Sequence, residues 1–151
     1  MNIQLLQVLE HCITTHRVLI LMITLALCAL FLGIVFLQSG YDKARYFQGN
    51  LSYFNTQFAN TPLKSMTGFL LVVVTILELI SGIACVLGVV LLFTGYGCDC
   101  AGFGSMLSAF TLVCLLTGQR IAKDYAGAAS LTGYFIISVL GMFAYAFSSL
   151  A

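Results

Sequence analysis

The sequence predicts an all-α integral membrane protein, a four-helix up-down-up-down bundle with a short N-terminal interfacial helix. Three observations lead there. The chain is 61% hydrophobic and only 7% charged, whereas a soluble domain carries about 25% charged residues, so it could not cover a water-facing surface. Four apolar stretches follow one another, and about 20 apolar residues suffice to cross the hydrocarbon. Within one of them, Gly68 to Phe93, Glu78 is the only acidic or basic side chain. A lone carboxylate at a bilayer centre costs about 2.5–3.5 kcal/mol on insertion scales, so it calls for a protein interior or water around it. The length suits one domain, residues 1–151.

Residues Asn2 to Cys12 place Ile3, Leu5, Leu6, Val8, Leu9 and Cys12 largely on one helical side, away from Gln4, Gln7 and Glu10. That pattern predicts a short helix lying in the membrane interface, with Thr14 to Arg17 breaking it before the first span. The spans are expected at about 18–38, 62–94, 101–118 and 130–150. The apolar run Val18 to Leu37 exceeds the roughly 7–15 residues of a secretory h-region, and Leu27 is too large for the position before the cysteine in the lipoprotein-like Leu25-Ala26-Leu27-Cys28. It reads as a retained span. Thr61-Pro62 predicts a cap followed by a first-turn proline that opens the second span. That span is long for the membrane, so its first turns belong at the interface or the helix tilts. The third span is shorter and more polar, with Ser105, Ser108, Thr111 and Thr117. These face neighbouring helices, where Gly102, Gly104, Gly133 and Gly141 allow close approach.

The connection Ser39 to Thr61 mixes Tyr41, Tyr46, Phe47, Tyr53, Phe54 and Phe58 with Lys43 and Arg45, a combination that favours the headgroup zone. Leu51, Phe54 and Phe58 form one face of a short surface helix. Gly95 to Cys100 and Gln119 to Ala129 are short and force antiparallel neighbours. Lys43, Arg45, Lys64, Arg120 and Lys123 flank the first and third connections, against Arg17 alone on the other side. This bias puts the basic connections in the cytoplasm and both termini outside, which is periplasmic for the expected bacterial inner membrane.

Several function classes are excluded. Net charge is +1 with six scattered Lys and Arg residues, too few for a nucleic-acid footprint. The six cysteines do not form a disulfide framework, and Cys28, Cys85 and Cys114 lie within apolar runs, where cysteine packs as a small hydrophobe. No nucleophile–base–orienter set, Walker loop, GxSxG or HExxH is present. Asn50-Leu51-Ser52 matches a glycosylation sequon but falls on the expected cytoplasmic side.

Three features could carry chemistry. Glu78, the candidate catalytic residue, shares a helical face with Thr75, Ser81, Gly82, Cys85 and Gly88. The stripe suits either a proton relay or ligand-binding acid, or a neutral acid that locks helices together by hydrogen bonds, since no basic partner lies inside any span. In Ser39-Gly40-Tyr41-Asp42-Lys43-Ala44-Arg45 the glycine predicts a sharp turn just past the first span. Asp42, Lys43 and Arg45 would then lie at headgroup level, as ligands for an anionic head group, a sulfur oxyanion or a quinone carbonyl, or simply as interfacial anchors. Cys98-Asp99-Cys100 could form a strained disulfide or contribute two thiolates to a metal. Two thiols are not a metal site on their own, and His11 and His16 before the first span are the only histidines. No metal site is expected.

These residues resemble the DoxX family. Arg17 opening a first span, Gly33 within it and Ser39-Gly40-Tyr41-Asp42-Lys43 look like its "R…G…(S/A)G-x-x-K" opening. Tyr53-Phe54 followed by Thr61-Pro62-Leu63 is similar to its "YF…P" connection. Glu78-Leu79-Ile80-Ser81-Gly82, continuing to Leu87-Gly88, resembles its second span. The resemblance implies a small four-span bundle and makes Lys43 and Glu78 the positions that matter most. Its namesake is a membrane subunit associated with thiosulfate:quinone oxidoreductase. The expected function is therefore an accessory or structural subunit of a larger respiratory or redox membrane complex, without intrinsic catalysis. The alternatives are a quinone-linked oxidoreductase subunit with Glu78 handling protons, and a small-molecule carrier acting as an oligomer. The expected partners are lipid and other membrane subunits. No cofactor is expected beyond a quinone.

Overall fold

A computed structural model describes residues 3–94 and 98–150. All the regular elements among them are helices: α1 Ile3–Arg45, α2 Phe47–Gln57, α3 Thr67–Phe93, α4 Asp99–Ile121 and α5 Tyr125–Ser148, with a 3₁₀ turn at Lys64–Met66 between α2 and α3. Four of these helices are long and apolar enough to cross a membrane, over Glu10–Arg45, Lys64–Phe93, Asp99–Ile121 and Tyr125–Ser148. The chain is a multi-pass membrane protein, and the four helices pack as an antiparallel bundle.

The core is built from small and aliphatic side chains. Leu25, Ala29, Leu32 and Phe36 of α1 meet Cys85 of α3, Ala101 and Leu112 of α4, and Ala144 of α5. In lipid there is no hydrophobic drive between helices, so close contact must come from small residues. At Gly88 an added Cβ would overlap the backbone of Ala101, and α3 and α4 cross there backbone to backbone. Hydroxyls seal the same seam further along: Ser81 pairs with Thr111 at 3.0 Å and Cys85 with Ser108 at 3.5 Å.

Two expectations about α1 are corrected. No separate interfacial helix and no break at Thr14–Arg17 occur, because one helix of 43 residues runs from Ile3 to Arg45. (Asn2, and the side chains of Ile3, Leu5, Leu6 and Leu9, lie outside what is described.) Nor does the helix turn at Gly40. A Cβ there would come within 2.9 Å of the Leu79 side chain and 3.3 Å of its backbone nitrogen. That glycine serves the approach of α1 to α3, so the helix continues through it to Arg45.

The register that sets Gly40 against Leu79 and Gly33 against Val86 places Phe93, the end of α3, level with about Ala26. At 1.5 Å per residue, α1 then runs on for about 35 Å past the end of α3. Among described side chains, burial in α1 begins only at Leu25.

The other helix boundaries also shift. Thr61 Oγ1 accepts from the Leu63 backbone N–H at 3.3 Å, so Thr61-Pro62 shapes the 3₁₀ turn and α3 proper starts at Thr67. Helix α5 starts at Tyr125 rather than near Ser130, because the Asp124 side chain caps it by accepting from Gly127 N. Lys123 takes a left-handed φ of 61° in the tight turn between α4 and α5. The surface helix expected from Leu51, Phe54 and Phe58 is α2, with Phe58 buried at its C-terminus. Gly95 to Gly97, within the expected second connection, lie outside the described residues.

Candidate functional site

The small polar stripe of α3 is buried as its spacing implied: Thr75, Glu78, Ser81, Gly82, Cys85 and Gly88 all lie inside the bundle. Glu78 lies within one turn of the middle of the helix. It lies about 16 Å from Thr67 and about 22 Å from Phe93 along the axis, nearer the end that carries Lys43.

Because α1 stays helical through Gly40, Lys43 follows Ser39 by one turn on the face turned toward α3. Lys43 Nζ donates to both carboxylate oxygens of Glu78, at 2.9 Å each, and to Ser39 Oγ at 2.6 Å. Ser39 Oγ in turn donates to Glu78 Oε1 at 3.2 Å. The side chain of Glu78 is 2% exposed and that of Lys43 is 14% exposed. The expectation that Glu78 has no basic partner is therefore corrected. The turn at Gly40 does not form, and the long lysine stem reaches along the helix to place its ammonium on the acid. The ammonium on both carboxylate oxygens and the hydroxyl on one satisfy the buried acid without lipid contact.

Asp42 and Arg45 do not join this cluster. Both are exposed. Arg45 Nη1 donates to Tyr41 Oη at 2.8 Å, and its guanidinium lies 5.9 Å and 5.7 Å from the Tyr41 and Tyr46 ring centres. They occupy the opposite side of α1, where a cation over aromatic rings suits the headgroup zone.

The ion pair opens onto a cavity of about 600 Å³ between α2, α3, α4 and the start of α5. Tyr53, Phe54 and Phe58 form its wall on the α2 side, with Phe54 and Phe58 stacked 6.2 Å apart. Leucines and valines of α3 and Cys114 of α4 make most of the rest. The arrangement is a largely apolar chamber with a donor, an acceptor and a hydroxyl gathered at one place. It can orient a small molecule by a polar head, and it can accept or donate a proton there.

Gln119 also lines the cavity. The sequence places it in a connection, but α4 extends to Ile121. The signal available was its spacing: Thr111, Leu115 and Gln119 recur on one helical face.

Cys98 and Cys100 are both free thiols at the start of α4. Successive odd positions on a helix point in different directions, and Cys100 Sγ donates instead to the Ala84 carbonyl at 3.6 Å. No disulfide joins them. Among the described residues, no group of three His, Cys, Asp or Glu side chains is close enough to hold a metal ion. His16 lies about 20 Å along α1 beyond the level of Asp99, from the contacts of Gly88 with Ala101 and of Gly33 with Val86, so it does not join Cys98 and Cys100.

The DoxX family model matches residues 24–119, well over half the chain and a stretch that includes Lys43 and Glu78. No curated protein and no solved structure matches. The chain belongs to the DoxX family.

Proposed function

We propose that this DoxX-family bundle is an accessory subunit of a larger membrane redox assembly, and that its own contribution is to hold a small amphiphile with its head at Lys43 and Glu78. The observation that carries this is the ion pair at the head of an apolar cavity of about 600 Å³, within the roughly 300–1,000 Å³ usual for small-molecule sites. A purely structural ion pair needs no chamber beside it. A quinone suits the chemistry: its carbonyl accepts from Lys43 Nζ in exchange for the bond to Ser39 Oγ, its ring rests against Phe54 and Phe58, and its tail follows the apolar wall toward lipid. The same contacts favour, as a second reading, an oxidoreductase membrane subunit in which Glu78 exchanges the proton.

Orientation follows the basic residues. Lys43, Arg45, Lys64, Arg120 and Lys123 cluster at one end of the bundle, which we assign to the cytoplasm, with the N-terminus outside a bacterial inner membrane. A reporter fused after Ala151 should be active only outside the cytoplasm; cytoplasmic activity would overturn the assignment.

Titration calorimetry on the chain in lipid nanodiscs with a decyl-substituted benzoquinone tests the binding. Saturable binding that Lys43→Met abolishes is the expected result, and none in the wild type would refute the site. Extraction in mild detergent should bring partner subunits along; recovery of the chain alone would refute the accessory role.

A further inference from the structure

We propose that an open cleft on the side of α2 turned away from the chamber holds the head group of an anionic phospholipid, with its phosphodiester at Lys64. The cleft, of about 520 Å³, lies between α2 and the 3₁₀ turn and is lined by Gln48, Ser52, Asn55, Thr56 and Lys64. It shares no lining residue with the chamber at Lys43 and Glu78, so the proposal stands apart from what that chamber binds.

Helix α2 has two faces, and each lines a different cavity. Tyr53, Phe54 and Gln57 form the chamber wall. Gln48, Ser52, Asn55 and Thr56 recur at helical spacing on the opposite side, and all four are exposed. The 11 residues of α2 carry no charge, so the only charged group in the cleft is the Lys64 ammonium on the facing turn. The one salt bridge among the described residues is Lys43–Glu78, and no carboxylate lines the cleft to neutralise Lys64.

One ammonium among neutral donors selects the charge of the anion. A phosphodiester carries a single negative charge, which Lys64 balances. A phosphate monoester carries about −1.5 to −2 at neutral pH and would keep part of that charge uncompensated. The amides of Gln48 and Asn55 and the hydroxyl of Ser52 can donate to the remaining phosphate oxygens. Thr56 Oγ1 gives its own proton to the Ser52 carbonyl at 3.1 Å, so it offers lone pairs to a hydroxylated head such as glycerol. A choline head has no O–H to give them.

The place of the cleft accounts for the tails. Lys64 opens the second membrane-spanning stretch, Lys64–Phe93, and Met66 and Phe69 just after it are exposed. In a multi-pass protein such side chains meet lipid, so Lys64 stands where apolar surface gives way to head groups. A diester carried on acyl chains reaches the cleft from that surface, whereas a soluble one gains nothing from it.

Titration calorimetry on the whole chain in a non-ionic detergent tests this with dihexanoyl phosphatidylglycerol, dihexanoyl phosphatidylcholine and glycerophosphoglycerol, the first head group without its tails. Phosphatidylglycerol should bind saturably and about 5-fold or more tighter than either other probe. Lys64→Gln should lower its affinity about 5-fold, the effect of one basic residue at a lipid surface. Lys123→Gln, in the α4–α5 turn outside the cleft, should leave it unchanged. Ala59→Trp, at an exposed position of the cleft wall, fills the space without touching the charge and should abolish binding of both lipids. Equal losses in Lys64→Gln and Lys123→Gln would mean attraction to the basic end as a whole and would overturn the site. So would undiminished binding in Ala59→Trp, or no saturable binding in the wild type. Glycerophosphoglycerol binding as tightly as the lipid would overturn the lipid and put a soluble diester in its place.

Discussion

Replacing Lys43 by methionine keeps most of the volume of the stem and removes the ammonium. The carboxylate of Glu78, 2% exposed, then keeps only Ser39 Oγ as a donor, at 3.2 Å. Stranding one member of a buried pair costs about 3–5 kcal/mol. Lys43→Met should therefore destabilise the bundle by about 3–5 kcal/mol. Adding Glu78→Leu removes the stranded charge, and the double variant should recover most of the loss, since apolar replacements of whole buried pairs are commonly neutral or better. Reversible unfolding in mixed micelles, read by far-UV circular dichroism across a denaturing-detergent series, gives the cycle directly. Additive losses in the double variant would show that the two side chains are not coupled in the folded bundle, and the account of the site would fall.

Three further outcomes follow from the packing. Gly88→Val forces a branched side chain into the Ala101 backbone and should cost about 1–3 kcal/mol or more in the same unfolding assay; an unchanged midpoint would mean that α3 and α4 do not cross there. Asp124→Ala removes the cap at the start of α5 and should cost about 0.5–2 kcal/mol, with amide hydrogen exchange rising selectively in the first turn of that helix. Phe58→Ala takes a buried ring from the wall of the cavity and should cost about 3 kcal/mol or more if the site cannot collapse. Faster hydrogen exchange should accompany it throughout α2, and exchange unaltered there would detach α2 from the chamber.

Most of the architecture was legible because the bilayer leaves few alternatives. Apolar length marked the four spans, and the small polar spacing around Glu78 marked the buried face of α3. The partner of Glu78 was not legible, for a definite reason. Gly40 has two uses, ending a helix or letting one pass close to another, and only the facing residue decides between them. Without Leu79 in view the glycine reads as a turn, which sends Lys43 to the headgroups with Asp42 and Arg45. Only Lys43 turns inward, because it alone of the three follows Ser39 by a single turn on the α3 side. Gln119 was hidden in the same way: it lies past the apolar run but within the helix, and periodicity rather than hydropathy would have placed it. The length of α1 has no sequence signal at all, since Thr14 to Arg17 look the same in a break as on the exposed surface of a continuous helix.

The separation between Lys43 and Glu78 also decides how the site responds to voltage. With Nζ only 2.9 Å from the carboxylate, the two charges differ in depth by at most about a tenth of a 30 Å hydrocarbon layer. A full charge carried across 100 mV is worth about 2.3 kcal/mol, so applying that field changes the energy of this pair by no more than about 0.2 kcal/mol. An uncharged guest would thus be held with the same affinity in an energised and a collapsed membrane, and only an anionic or cationic one would feel the difference.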